Sequence, residues 1–201
     1  MKRHLLFSLL LPLSAIACVR SPAPAPPKTV QAVAVFPPDN LTGDELLVEG
    51  GSLLEKYFFH TQRVTVADVL AAEARRQLAS RGVTIIPPDV VDAAAGEHPP
   101  LGAYGAAAAA ARNHIDAAVL FIEIRRWEPD VPFQPRSIIV SLAATLVDPA
   151  DQHTLWSADR PSRPIATPGA VTLGAADVIA AGKAIEELLA PLSAVRPPSV
   201  G

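Results

Sequence analysis

Residues 117–122, AAVLFI, form a run with no charged or polar member. A run that is apolar at every position predicts a strand buried on both faces, which is typical of the centre of a sheet covered by helices on both sides. The preceding segment, Leu101–Asn113, contains six consecutive alanines and predicts a helix slim enough to pack closely on that sheet. We therefore expect a central strand over Ala117–Trp127 with a helix leading into it.

The N-terminal half predicts a β-α-β unit. Val30–Phe36 is short and rich in valine, as buried strands are. Thr65, with Asp68 three residues later, has the spacing of a capped helix start, and an amphipathic pattern follows. Gly82 ends this helix, and Val83–Ile86 predicts the second strand.

The C-terminal half predicts two antiparallel strands and a closing helix. Ser137–Val147 is a long strand pattern, Asp148–Asp151 is rich in turn formers, and His153–Ala158 predicts a short returning strand. Gly174–Leu192 has the apolar period of a helix. The predicted order is β-α-β-α-β-β-β-α, an α/β (α+β) fold in a single domain, with a mixed β-sheet covered by helices.

The N-terminus has the pattern of a secretory signal peptide. Lys2 and Arg3 precede the apolar run Leu5–Leu13, and small residues follow up to Ala17. The run is shorter than the ~20 apolar residues that span a bilayer. We expect residues 1–17 to be removed and the mature chain to work outside the cytoplasm.

Cys18, the one cysteine of the chain, follows this pattern directly. The residues AIAC at 15–18 resemble the lipobox of bacterial lipoproteins, although Ala15 stands where leucine is preferred. The resemblance implies that Cys18 becomes the acylated first residue and anchors the chain in the membrane. Val19 is not the aspartate that retains enterobacterial lipoproteins in the inner membrane, which favours the inner leaflet of the outer membrane, facing the periplasm.

Composition divides the mature chain into three parts. Residues 18–28 alternate proline with small residues and predict an extended tether, residues 29–192 form the α/β domain, and residues 193–201 form a disordered tail. The net charge is −3, and it becomes −5 when Lys2 and Arg3 leave with the signal. This acidic balance gives no electrostatic basis for binding nucleic acid.

Three stretches carry a resemblance to a family of bacterial envelope proteins: VAVFPPDNLTGD at 33–44, LASRGVTIIPP at 78–88 and LVDPADQHTLWSADR at 146–160. They resemble the α/β domain shared by the N-terminal part of TolB, the curli-secretion lipoprotein CsgG and the penicillin-binding-protein activator LpoB. The resemblance implies a non-enzymatic envelope scaffold or accessory protein that acts through protein partners. The sequence leaves the partner and the oligomeric state open.

The sequence contains no recognisable catalytic, nucleotide-binding or metal-binding motif. The segment GGSLL at 50–54 lacks the second glycine of a nucleophile elbow, the histidines are isolated from one another, and no phosphate-binding glycine motif occurs. Asp39, Asn40, Thr42 and Asp44 do not follow the calcium-loop spacing and are expected to form a turn. We therefore predict no catalytic, cofactor or metal site.

Residues 46–61, LLVEGGSLLEKYFFHT, concentrate aromatic side chains between the first strand and the first helix. Gly50-Gly51 predicts a hairpin with arms Leu46–Val48 and Lys56–Thr61. Its aromatic residues could pack in the core or form an exposed contact for a partner, and the candidate contact residues are Tyr57, Phe58 and Phe59. A membrane-inserting hairpin of a CsgG-like pore is a third alternative, but the first arm is short for it.

Two further expectations concern packing and function. Trp127 and Trp156 are predicted to pack in the sheet with one wet edge, and Arg125 and Arg126 are predicted to lie at a solvated strand end. A rival function is the auxiliary lipoprotein of an ABC-type lipid transport system, which an apolar cavity able to hold an acyl chain would favour. An enzyme would require a cluster of His, Asp and Ser side chains in one cleft.

Overall fold

The computed structural model describes residues 30–48, 64–97, 100–132 and 134–194. The predicted signal peptide, tether and most of the predicted tail lie outside these residues. The described elements, in chain order, are β1 (Ala32–Val35), β2 (Asp39–Asn40), α1 (Val66–Ser80), β3 (Thr84–Ile85), α2 (Pro88–Ala95), α3 (Gly102–Arg112), β4 (Ala118–Pro129), β5 (Ser137–Val147), β6 (Thr154–Ala166) and α4 (Leu173–Leu189), followed by a 3₁₀ helix (Ala190–Ala194). The α/β class and the mixed sheet are confirmed.

The strands form one sheet in the order β3-β1-β4-β5-β6. Strand β1 is parallel to β3 and β4, whereas β4, β5 and β6 are antiparallel neighbours. Strand β2 continues past β1 and pairs with β4 in parallel, with Asp39 opposite Glu123. The parallel part of the sheet is therefore small, and a long antiparallel meander extends beyond it.

Helices cover both faces, as AAVLFI predicts. Leu120 and Ile122 of β4 point into a core with residues of α1 and α4, whereas Val119 and Phe121 point into a second core with residues of α2 and α3. All four side chains are buried. The central position of β4 therefore follows directly from its uninterrupted apolar run.

Three local expectations need correction. Helix α2 lies where no element is predicted; its Pro88 stands in the first turn, where the missing N–H costs nothing. Strand β6 runs to Ala166 instead of stopping at Ala158, and it passes through Pro161 and Pro164. Prolines are tolerated there because β6 is the edge strand of the sheet. The pairing of β2 with β4 is also additional to the predicted turn.

The helix ends agree closely with the predicted signals. Thr65 caps α1 through a complete capping box with Asp68, and α1 ends before Arg81 and Gly82. Helix α4 starts at Leu173 and gives way to the 3₁₀ helix after Leu189. Within the described ranges, no helix has the combined length and apolar character that a bilayer crossing requires.

Candidate functional site

The predicted site residues Cys18, Tyr57, Phe58 and Phe59 lie outside the described residues. The structure does show the residues on either side of the segment that carries the three aromatic residues. The Val48 N–H donates to the Val64 carbonyl at 2.9 Å, and the Val66 N–H donates to the Leu46 carbonyl at 2.9 Å. Val48 and Val64, the described residues that flank 49–63, are therefore hydrogen-bonded neighbours.

The first predicted arm, Leu46–Val48, pairs with Val64–Val66, and Leu47 lies opposite Thr65 in an antiparallel bridge. Burial explains this register, because Val48, Val64 and Val66 all pack into the core under α1 and α4. The second predicted arm, Lys56–Thr61, lies outside the described residues, so the hairpin stays a prediction.

Thr65, the second residue after the segment 49–63, is held by hydrogen bonds with Asp68. The Asp68 N–H donates to Thr65 Oγ1 at 3.2 Å, and Asp68 Oδ2 accepts from the Thr65 N–H at 2.8 Å. The capping box thus fixes Thr65, which follows residues 49–63, at the start of α1.

The predicted turn before this segment is confirmed. Asn40 Oδ1 accepts from the Thr42 N–H at 3.2 Å and from its hydroxyl at 2.8 Å, while Asn40 Nδ2 donates to the Asp44 carbonyl at 2.7 Å. These side chains are engaged in shaping the turn. Asp39 and Asn40 of the same stretch pair with Glu123 and Ile124 of β4, just past the pairing of β1 with β4.

The antiparallel part of the sheet leaves charged residues uncovered on the side of α2 and α3. A bulge in β4 between Ile124 and Arg126 places Arg125 and Arg126 both outward before Trp127 returns to the core. Arg125 pairs with Asp159 at 2.7 Å and Glu123 at 2.9 Å. Arg126 pairs with Glu128 at 2.7 Å, which confirms the predicted solvated strand end.

The opposite face of the same strands is buried. The Trp127 indole N–H donates to Asp177 Oδ1 of α4 at 2.9 Å, and both residues are buried. Trp156 is 1% exposed. Their packing role is confirmed, but the predicted wet edge is wrong, because α4 covers both rings and Asp177 takes the place of water for Trp127.

Two further buried charges face α4 or lie beside it. Arg160 donates from Nε to Glu187 at 2.9 Å and from Nη1 to the Val140 carbonyl at 2.6 Å. Glu73 of α1 accepts from Arg76 Nε at 2.8 Å and from Gln77 Nε2 at 2.8 Å. Burial opposes the charge of Glu73, but the hydrogen bonds from Arg76 and Gln77 and the charge of Arg76 hold its pKa below the usual range.

Glu73 lines an open groove of about 510 Å³ between α1 and α4. Charged side chains form much of its wall, among them Arg76, Arg81, Lys183 and Glu186. The sequence alone does not predict these interhelical contacts. A signal was available for Asp177, which is the one charged residue of the otherwise apolar or small stretch 173–182.

The described residues do not assemble a catalytic or metal cluster. His114 and His153 are exposed in separate turns, and no group of three or more His, Cys, Asp or Glu side chains in the described ranges is arranged to hold a metal ion. His60 and His98 lie outside those ranges.

No family model and no curated protein matches the chain. Solved structures with a similar arrangement include lipoprotein GNA1162 from Neisseria meningitidis, which is 18% identical over 81% of this chain and 97% of that chain, with a TM-score of 0.49. The PelC dodecamer from Paraburkholderia phytofirmans is 16% identical over 86% of this chain and 93% of that chain, with a TM-score of 0.42. The LpoB C-terminal domain from Salmonella enterica is 16% identical over 68% of this chain and 83% of that chain, with a TM-score of 0.41.

Bacterial lipoproteins are thus among the solved structures similar to this chain, and LpoB, which the sequence resemblance names, is one of the similar proteins. The similarity concerns the path of the backbone. The function of this chain has to come from its own residues.

Proposed function

We propose that the chain is a lipid-anchored cell-envelope protein, acylated at Cys18, that acts as a non-enzymatic accessory or scaffold through protein partners. The observation that carries this proposal is the lipobox-like AIAC at 15–18 behind a signal-peptide pattern. In this proposal, the domain is of the kind shared by TolB, CsgG and LpoB. It is anchored in the inner leaflet of the outer membrane and faces the periplasm.

The domain itself supports a binding role over a chemical one. The buried charges of Glu73, Arg160 and Asp177 have partners within the fold, so they serve the packing of α1 and α4. The residues that flank 49–63 are instead held together by backbone bonds between Leu46–Val48 and Val64–Val66 and by the bond of the Thr65 N–H to Asp68. In this proposal, Tyr57, Phe58 and Phe59 form a contact with the partner, because aromatic side chains are enriched at the centres of interfaces.

The anchor is tested by the intact mass of the full-length protein extracted from membranes. We expect an N-terminus at Cys18 carrying the added mass of acyl chains. A Cys18→Ser variant, the matched control, should lose that mass and leave the membrane fraction. An N-terminus upstream of residue 18, or an unmodified Cys18, would contradict the proposal.

The partner contact is tested with a photo-crosslinking amino acid placed at position 57, 58 or 59 in cells. We expect a discrete intermolecular product from these positions. Tyr104 is the control, because it is an exposed aromatic residue on another part of the domain. Products of equal yield from position 104, or none from positions 57–59, would remove these residues from the interface.

The rival functions have separate signatures. A lipid-transport role needs an apolar cavity, whereas the groove between α1 and α4 is lined by charged side chains and does not favour it. A CsgG-like secretion role needs a large closed ring. The particle mass of the full-length protein in mild detergent, measured by light scattering and corrected for detergent, distinguishes such a ring from a monomer or small oligomer.

A further inference from the structure

Two loops at the far end of the antiparallel strands are fastened to each other. The buried Thr167, which follows β6, donates its N–H to the Arg136 carbonyl at 2.8 Å and its hydroxyl to the Pro135 carbonyl at 3.0 Å. On the β4–β5 side, Asp130 Oδ1 accepts from the N–H groups of Val131 at 2.9 Å and Arg136 at 3.0 Å. These bonds give the end of the domain a defined shape.

A groove of about 400 Å³ lies between the two loops. Small or apolar side chains form most of its lining, including Pro135, Ala166, Pro168 and Ala170. Residues 167–170 of the lining form a type II turn, with Pro168 followed by Gly169 at a φ of 77°. The Ala170 N–H donates to the Thr167 carbonyl at 3.2 Å and closes the turn.

Two exposed apolar residues belong to the same loops as the lining. Val171 follows Ala170 directly and is 72% exposed, and Val131, which precedes Gln134 by three residues, is 45% exposed. Side chains of this kind gain free energy when a partner covers them, at roughly 25 cal/mol per Å² of apolar area. Val171, the direct neighbour of the lining residue Ala170, therefore adds exposed apolar area next to the groove.

The groove also has an uncompensated positive charge. Arg136 lines it, is exposed, and makes no ion pair with any residue in the described part of the chain. Lys183 adds a second positive charge nearby, since its Nζ donates to the Ala166 carbonyl at 2.8 Å. The carboxylate of Asp130 is close, but one of its oxygens is already occupied by two backbone N–H groups.

We propose that this groove docks a protein segment that carries apolar side chains next to a carboxylate. The apolar side chains lie on the lining around Pro135 and Pro168, and the carboxylate accepts from the guanidinium of Arg136, which suits two-pronged recognition. This inference deepens the proposed function and rests on it, because it assigns the chemistry of a partner to a scaffold protein.

The geometry favours a protein segment over a lipid surface. The described chain begins at Val30, beside the start of β4, whereas the groove lies beyond the last residue of β4. The 12 residues of β4 separate these two ends of the domain by roughly 35–40 Å, given about 3.3 Å per residue. The groove therefore lies at the end of the domain opposite Val30, the side from which the proposed anchor is attached. Two positive charges are also few for binding lipid, at about 1 kcal/mol each.

The test uses the full-length protein in mild detergent and a displayed library of random 12-residue peptides. We expect the selected peptides to combine an acidic residue with apolar ones. Arg136→Glu should weaken their binding at least about tenfold, the scale of a lost charge pair, and Val171→Ser should weaken it several-fold. Arg112→Glu is the matched control, because Arg112 is also exposed and without an ion pair in the described residues, and it should leave binding unchanged.

Three results would overturn the inference: no selected peptide, peptides without an acidic residue, or binding that Arg136→Glu and Val171→Ser leave intact. Thermal unfolding of each variant checks folding, and Arg136→Gln replaces Arg136→Glu if the latter unfolds. Vesicles containing phosphatidylglycerol form the second arm, with the Cys18→Ser variant in detergent-free buffer so that no acyl chain anchors the protein. Vesicle binding that Arg136→Glu abolishes would show that Arg136 binds lipid and would also overturn the inference. If acylation and the crosslinks from positions 57–59 persist while the peptide arm fails, the proposed function stands without this groove.

Discussion

The two faces of the antiparallel meander differ in what covers them. On the side of α1 and α4, the core continues to the far ends of the strands, where Trp127, Ile138 and Ile165 are buried. On the other side, α2 and α3 cover the beginning of β4, and the charges of Arg125 and Asp159 beyond it remain exposed. The same three strands thus present a closed face and an open one.

This difference shows how each face uses its charges. On the closed side, a charge is tolerated only with partners inside the fold, as Arg160 has in Glu187 and the Val140 carbonyl. On the open side, Arg125 and Arg126 pair with carboxylates in contact with water, where such pairs contribute little. We therefore expect stability to depend on the closed side, which leaves the open side and the loops available for contacts.

The largest effect is expected from Trp156 at the centre of the closed side. Trp156→Ala should lower the free energy of unfolding by about 3–5 kcal/mol, since it removes a large buried ring and leaves a cavity. Urea unfolding followed by far-ultraviolet circular dichroism measures it. Leu101→Ala is the control, because Leu101 is 86% exposed, and it should change stability by less than about 0.5 kcal/mol. A similarly small loss for Trp156→Ala would show that the closed face is not sealed.

The sequence predicts the closed side well and the contacts between elements poorly. The uninterrupted run at 117–122 and the capping box at Thr65 are local signals, and both appear as predicted. The Pro88 start of α2 and the passage of β6 through Pro161 depend on tertiary context, because prolines are acceptable only in a first turn or on an edge strand.

The two candidate sites also differ in whether a local sequence signal predicts them. The role of Cys18 follows from a short motif and could be predicted from the sequence, and it remains a prediction. The groove at Arg136 could not be predicted, because it exists only where Thr167 bonds Pro135, a residue 32 positions earlier in the chain. Neither loop has a sequence pattern that predicts its contact with the other loop.

The second-largest effect is expected from Arg160, the charge that the closed side buries. Arg160→Ala should cost about 2 kcal/mol, because it leaves the Val140 carbonyl without its buried donor and Glu187 with one arginine fewer. The same urea measurement applies. Arg126→Ala on the open face is the comparison, and equal losses for the two arginines would erase the distinction between the faces.

A smaller effect is expected from the titration of Glu73. Its pKa is held below the usual range in the folded state, so its charge contributes stability above the unfolded value of about 4.3. This contribution should be lost as the pH falls through the folded pKa. The difference in unfolding free energy between the native protein and Glu73→Gln, measured from pH 7 to pH 3, should therefore shrink below about pH 4. A difference that stays constant over this range would contradict the assigned ion pair.

The smallest effect is expected on the open face, at the Arg125–Asp159 pair. A double-mutant cycle with Arg125→Ala and Asp159→Ala should give a coupling energy below about 1 kcal/mol, because both side chains are exposed. Added salt should reduce it further, since screening acts fully on exposed pairs. A coupling that is large and insensitive to salt in the purified protein would mean that water does not reach this pair. The open face would then be covered by another part of the chain or by a second copy. The two faces would then no longer differ in their exposure to water.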